Sequence, residues 1–281
     1  MTPAQLRNLA RDPRFIPGIY NYCDRWCERC PLSHRCLTYA TEKFRDREDQ
    51  AAAADNPEAR ARDNQKFWDK IHASFQLTMQ MVKEDAQRLG IDLEAPGALA
   101  EAAAHERQVR RRAARHRPLA RAARDYGFAV QKWCQESGGL FKAKGVELEQ
   151  QARLEIGRPL AEAEEIHELL DIIQWYHLFI HVKLSRAIES QAEEEMETDP
   201  ELKSLMNDGD GSAKIALIGM DRSLAAWTGL RAHFMEQEDA ILDFQLQLAR
   251  IRQQAEKLFP NARGFVRPGF DEDDGKLERG G

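Results

Sequence analysis

Apolar residues recur along most of the chain at the three- and four-residue spacing of an amphipathic helix. This spacing predicts a helix from Glu58 to Leu89, opened by Pro57, and a final helix from Ser212 to about Leu258. Between them, the stretch from Leu160 to Glu195 is apolar on almost every side, which is typical of a helix in the middle of a bundle. The pattern therefore predicts an all-α protein, a helical bundle with long antiparallel helices.

Breaks in the pattern predict three parts of the chain. Residues 1–40 form an irregular, cysteine-rich segment packed on the body, and residues 41–260 form the helical bundle. Residues 261–281 form an extended, partly disordered tail. The tail begins with several large apolar residues, so we expect that part to lie on the body, where it could cover the cysteines.

Composition and charge exclude few classes of protein. The 281 residues are 42% hydrophobic and 31% charged, with a net charge of −6, which gives no general attraction to nucleic acid. One stretch, residues 105–124, is rich in arginine and could bind phosphate groups or an acidic partner. It could equally be a solvated face balanced by the glutamates of residues 193–197, so nucleic-acid binding is not expected.

The sequence also bears on localisation. The most apolar stretch, from Ile166 to Ile188, contains too many charged and histidine residues for a helix that faces lipid. The first eight residues lack the apolar core of a signal peptide. We therefore expect a cytoplasmic protein with no membrane segment.

Four of the five cysteines lie within fourteen residues, at the spacing C-x3-C-x2-C-x5-C. They are Cys23, Cys27, Cys30 and Cys36. Thiolate is a soft ligand that favours iron-sulfur clusters or zinc, and four thiolates complete the ligand set of either centre. Disulfides would need an oxidising compartment. The cysteines therefore predict a metal-binding loop that holds one iron-sulfur cluster, with zinc as the alternative.

The spacing of Cys27, Cys30 and Cys36 resembles the iron-sulfur loop of the endonuclease III and MutY DNA glycosylases, in which the cysteines run C-x6-C-x2-C-x5-C. Cys23 lies three residues closer than the first cysteine of that family. The resemblance implies a four-iron four-sulfur cluster. It does not extend to glycosylase activity, because the chain has no helix-hairpin-helix glycine loop followed by a catalytic Lys and Asp.

A second local match runs from Cys23 to Cys30. Its C-x3-C-x2-C spacing is similar to the cluster motif of the radical SAM enzymes. That family usually has an aromatic residue where this chain has Arg29, and it places the motif after the first strand of an α/β barrel. No series of strands is predicted downstream, so the match is restricted to the cysteines.

Two histidines of the central predicted helix suggest a second place for chemistry. His177 and His181 stand at i and i+4, so they face one side of the helix, and Asp171 and Gln174 are close by. Charge is costly in an apolar interior unless it is paired. These four residues therefore predict either a polar ligand pocket or a hydrogen-bonded core network in which the histidines are simply satisfied.

A carboxylate and histidine pair on the same helix predicts a possible second metal site. Glu164 and His167 stand at i and i+3, and an antiparallel pairing through residues 196–211 would place them near Glu236 and Asp239. The pattern resembles that of the di-iron carboxylate bundles, which use Glu and Glu-x-x-His from facing helices. The candidate ligands are Glu164, His167, Glu236 and Asp239.

Two classes of function follow from these motifs. The first is a redox or sensor protein, or an enzyme of unknown substrate, in which the cluster acts with the pocket and meets a redox partner or a small-molecule ligand. The second is a zinc-stabilised interaction module without catalysis. The chain has no Walker loop, dinucleotide-binding glycine pattern or nucleophile elbow, so several common enzyme classes are excluded. The sequence does not determine the oligomeric state.

Overall fold

The computed structural model describes residues 3–42, 57–93, 117–206 and 208–271, together with residues 101, 104–106 and 108–109. Within these ranges all regular secondary structure is helical, so the prediction of an all-α fold is confirmed. The chain divides into two compact units, one of residues 1–107 with 268–281 and one of residues 108–267. The predicted division at residues 40 and 260 stays a prediction.

The first unit contains helix α1, Pro3–Ala10, and the long helix α2, Pro57–Leu89. Helix α2 ends as its sequence predicts, because Gly90 adopts a left-handed φ of 69° that other residues adopt less readily. The N–H of Ile91 then donates a hydrogen bond of 2.9 Å to the carbonyl of Ala86, which closes the last turn.

The second unit is built from helices that continue in order along the chain. They are α3, Arg117–Glu136; α4, Gly138–Arg153; α5, Pro159–Met196; α6, Pro200–Leu205; α7, Asp208–His233; and α8, Glu238–Leu258. Helix α5 packs most extensively against α7 and also contacts α3 and α4, whereas α8 packs on α7 and α3. The core of the unit therefore surrounds α5 and α7.

Helix α5 buries residues at helical spacing, including Ile173, Tyr176, Ile180 and Leu184. It also keeps charged side chains along its length, among them the buried Lys183. In the ranges that the structure describes, no helix is both long enough and apolar enough to cross a membrane.

Close contact between α5 and α7 depends on glycine. A Cβ atom on Gly219 would lie 2.9 Å from Cδ1 of Tyr176, so a larger residue would force the helices apart. Arg186 lies after Tyr176 on α5 but pairs with Asp208, which lies before Gly219 on α7. The contacts between these two helices therefore run in opposite sequence directions. An antiparallel arrangement of the whole bundle stays a prediction.

One predicted element is wrong in length. The sequence predicts one helix from Ser212 to Leu258, but α7 ends at His233 and α8 begins only at Glu238. Between them, Phe234 leaves the helical conformation with φ −135° and ψ 64°. Its buried ring packs edge to face on Phe141, with 5.7 Å between ring centroids. Burial of this aromatic side chain compensates for the interrupted helix.

Candidate metal centre

The cysteine segment is a series of short 3₁₀ turns, Ile19–Asn21, Cys27–Arg29 and Ser33–Arg35. The second turn closes with a hydrogen bond of 3.3 Å from the N–H of Cys30 to the carbonyl of Cys27. The third closes in the same way, from Cys36 to Ser33 at 3.2 Å. A tight turn therefore ends at each of these two cysteines.

All four predicted ligands line one partly open cavity of about 20 Å³. None of them forms a disulfide, and each side chain is half-buried. The other lining residues are Ile19, Asp24, Arg25, Trp26, Ser33, Tyr39 and Phe270. The wall is therefore rich in sulfur, the donor that a soft metal centre needs, and in aromatic carbon, which controls the access of solvent to such a centre.

The thiols interact electrostatically with each other. Burial, together with the neighbouring Cys23, Glu42 and Cys36, raises the pKa of Cys27 to about 11. Burial also raises the pKa of Cys30, while the N–H of Leu32 acts in the opposite direction by donating a hydrogen bond to its sulfur. Neutral thiols are therefore favoured at neutral pH, and a bound cationic centre would make the thiolate forms favourable.

Contacts around the second cysteine hold the loop in its turned conformation. Arg25 adopts a left-handed φ of 60°, and the N–H of Trp26 donates a hydrogen bond of 3.2 Å to the carboxylate of Asp24. The guanidinium of Arg29 lies 4.0 Å from the centre of the Trp26 ring. This cation–π contact fixes the ring beside the cavity.

The C-terminal part of the described chain contributes to the cysteine cavity through Phe270. The preceding Gly269 has a φ of 74°, and a Cβ atom there would lie 2.7 Å from Cδ1 of the buried Ile16. Glycine is therefore required at this position for two reasons: the left-handed backbone conformation, and the close approach of the backbone to Ile16. Residues 269 and 270 lie where the sequence suggested, against the cysteine segment.

Replacement of Gly269 by alanine is expected to loosen Phe270 from the cavity. The left-handed backbone and the contact with Ile16 together disfavour alanine, by about 1–2 kcal/mol. We expect faster loss of bound metal to a chelator, measured as a release rate. Gly264→Ala is the matched control, because a Cβ atom at Gly264 meets nothing within 4 Å. Equal release rates in the two variants would show that the position of Phe270 does not matter.

The structure does not draw the thiols to a single point. Among the described residues, no three His, Cys, Asp or Glu side chains are grouped closely enough to hold one metal ion. The cysteines share a cavity, and their donor chemistry fits a sulfur-ligated centre. The identity of that centre stays a prediction.

The two histidines predicted to line a pocket both meet main-chain carbonyls. Nδ1 of His177 lies 2.6 Å from the carbonyl of Gln174, and Nδ1 of His181 lies 2.9 Å from the carbonyl of Ala120 on α3. Burial lowers the pKa of His177, with the Gln174 carbonyl opposing it. Each Nδ1 can therefore share a hydrogen bond with a main-chain carbonyl, within α5 for His177 and across to α3 for His181. The polar pocket of these residues with Asp171 stays a prediction.

The second metal site stays a prediction, and its four candidate ligands lie on three different elements of the structure. Glu164 and His167 lie on α5, but Glu236 falls in the turn between α7 and α8, and Asp239 in the first turn of α8. The side chain of His167 is 80% exposed, and its Nε2 lies 3.7 Å from the carboxylate of Asp171.

A different polar cluster occupies this end of α5. Glu162 accepts a hydrogen bond from Nδ1 of His233 at 3.3 Å, and Nζ of Lys144 lies 2.8 Å from the same carboxylate. Lys144 lowers the pKa of Glu162, and His233 adds to that effect. Sequence reasoning missed the cluster, because it depends on the end of α7 at His233. These ion pairs join helices α4, α5 and α7.

Comparison of the chain with models of known protein families, with curated proteins and with solved structures gives no match.

Proposed function

We propose that the cysteine segment binds one four-iron four-sulfur cluster, and that the protein is a redox or sensor protein. The ligands in this proposal are Cys23, Cys27, Cys30 and Cys36. The observation that carries it is the common cavity, which all four unbridged thiols line within fourteen residues of sequence. When bound, a cluster with four cysteine ligands carries single electrons.

The residues around the cavity have defined roles in this proposal. The N–H of Leu32 already donates a hydrogen bond to the sulfur of Cys30, and such bonds stabilise thiolate and raise the reduction potential of a cluster. Trp26, Tyr39 and Phe270 limit the access of water to the cavity. Cys23 must release its hydrogen bond to the carbonyl of Tyr20, at 3.6 Å, when it loses its proton.

The cavity is only partly enclosed, which suits transfer of electrons to another molecule. Arg25 and Arg29 are exposed beside it, and Glu28 is exposed on the same turn. A redox partner would therefore meet a surface of mixed charge. A small-molecule ligand could reach the same opening.

Metal analysis and spectroscopy of the full chain purified without oxygen test the proposal. We expect brown protein with about four irons and four sulfides per chain, and visible absorption that bleaches on reduction. Colourless protein with one zinc per chain would contradict the proposal and support a zinc-stabilised interaction module. Protein that takes up neither metal after anaerobic reconstitution would exclude both.

A further inference from the structure

Helix α2 exposes large apolar side chains at a seven-residue interval. Trp68, Phe75, Val82 and Leu89 have 56%, 66%, 44% and 66% of their surface exposed. Met79, with 52% exposed, lies on the same face between Phe75 and Val82. Surface apolar residues usually occur singly, so a continuous row of five on one helix is the pattern of an interaction surface. We call this row the α2 stripe.

The other face of α2 makes contacts within its own unit. Nη1 of Arg7 on α1 lies 2.7 Å from the carboxylate of Glu84. Leu77 and Met81 are half-buried on this side of the helix. Helix α2 therefore has two apolar faces, and among the described residues helix α1 contacts the face opposite the stripe.

The first turns of the α2 stripe border a broad surface groove of about 470 Å³. It is lined by Trp68, Ile71, His72, Phe75 and Gln76. In a heptad that places Trp68 and Phe75 at a positions, Ile71 is the d position between them. A helix whose side chains insert between these residues would fill the groove as knobs fill holes.

We propose that the α2 stripe pairs with the same stripe of a second copy of this chain, so that two α2 helices form a short coiled coil. The stripe repeats every seven residues over three intervals, and this repeat keeps one face of a helix against its partner. Identical helices automatically share this repeat, so a second copy matches its length and spacing.

The exposed area reaches the size that a specific dimer needs. An aromatic side chain has a surface of roughly 150–250 Å², and the three aliphatic side chains are at or below the lower end of that range. The exposed parts of the five residues therefore amount to roughly 500 Å² in each copy. Two copies would remove roughly 1,000 Å² from water, which is at the lower limit for a specific interface. The flanking side chains include His72, Gln76 and Thr78. Lys83 and Asp85 also flank the stripe, and Asp85 already pairs with Arg88 at 3.1 Å, so pairing brings few uncompensated like charges together.

Measurement of molar mass by light scattering during size-exclusion chromatography tests this proposal. We expect the full chain to run at twice its 32.2 kDa mass and to dissociate on dilution. The double variant Phe75→Glu with Val82→Glu should reduce the mass twofold at every concentration, because it places charge in the interface. Val182→Glu is the matched control, since Val182 is an exposed valine on another helix, and it should remain dimeric.

Circular dichroism shows whether the double variant keeps its helices. If it unfolds, the milder pair Phe75→Ala with Val82→Ala should leave the fold intact and raise the dimer dissociation constant at least tenfold. A wild-type chain that is monomeric at all concentrations would overturn the proposal, because the stripe would then have another occupant. Dimers that persist unchanged in folded glutamate or alanine variants would overturn it as well.

Discussion

Replacement of Cys27 by alanine is expected to abolish metal binding by the protein. Cys27 opens the central turn of the cysteine segment, and it lines the same cavity as the other three predicted ligands. Loss of one of four thiolates leaves an open position on the centre, and water or oxygen can then reach it. We expect iron to fall from about four per chain to near zero, and Cys30→Ala to have the same effect.

Cys134→Ala provides the control for both variants. Cys134 is the fifth cysteine and lies on α3, where burial raises the pKa of its thiol to about 11. It lies outside the cysteine segment, so its loss should leave the metal content unchanged. Full metal content in Cys27→Ala and Cys30→Ala would refute the assignment of the ligands. Equal loss in Cys134→Ala would show that the effect is general destabilisation.

Replacement of Gly127 by alanine is expected to lower the free energy of unfolding by about 1–2 kcal/mol. A Cβ atom on Gly127 would lie 2.6 Å from the carbonyl oxygen of His177 and 2.9 Å from Cδ2 of Leu178. The carbonyl belongs to the backbone of α5 and cannot turn away, so the two helices must separate. Alanine favours a helix over glycine by about 1 kcal/mol, which offsets only part of this cost.

Chemical denaturation followed by circular dichroism measures the effect, and Gly145→Ala is the matched control. Gly145 also lies inside a helix, α4, but a Cβ atom there meets nothing within 4 Å. Its replacement should raise the free energy of unfolding by about 0.5–1 kcal/mol through helix propensity alone. If both variants are stabilised, the close contact between α3 and α5 is not maintained in solution.

The crossing at Gly127 explains the contact that His181 makes with α3. His181 meets the carbonyl of Ala120 two turns before Gly127, and the carbonyl of His177 faces Gly127 itself. The separation between α3 and α5 is therefore small along this whole stretch. A sequence in which two histidines share one helix face does not show which ring meets a neighbouring helix, as that of His181 does, and which bonds its own helix, as that of His177 does.

Aromatic packing organises the other side of the second unit. The rings of Trp227 and Phe244 stack with 4.9 Å between centroids, and Trp133 meets Trp227 edge to face at 5.2 Å. Nε1 of Trp227 donates a hydrogen bond of 3.0 Å to the hydroxyl of the buried Tyr126. Burial raises the pKa of Tyr126, which therefore stays neutral. The cluster joins α3, α7 and α8 without leaving these polar atoms unsatisfied.

The sequence by itself determined the helical class of the protein and the starts and ends of several helices. Pro57, Pro159 and Gly90 are local signals, because each acts on the backbone of its own residue. The spacing of the four cysteines is local in the same sense. This spacing keeps the four thiols within one short segment, whatever the fold of the rest of the chain.

Only the tertiary structure decided where α7 ends and which residues face each other across helices. Phe234 leaves its helix to pack on Phe141, and that contact joins residues ninety-three positions apart in the sequence. The approach of Phe270 to the cysteines spans still more of the chain. Helical periodicity reports which side of a helix is apolar, but the same stripe fits several partners and registers. The choice among them depends on how well side chains from distant segments fill the common space.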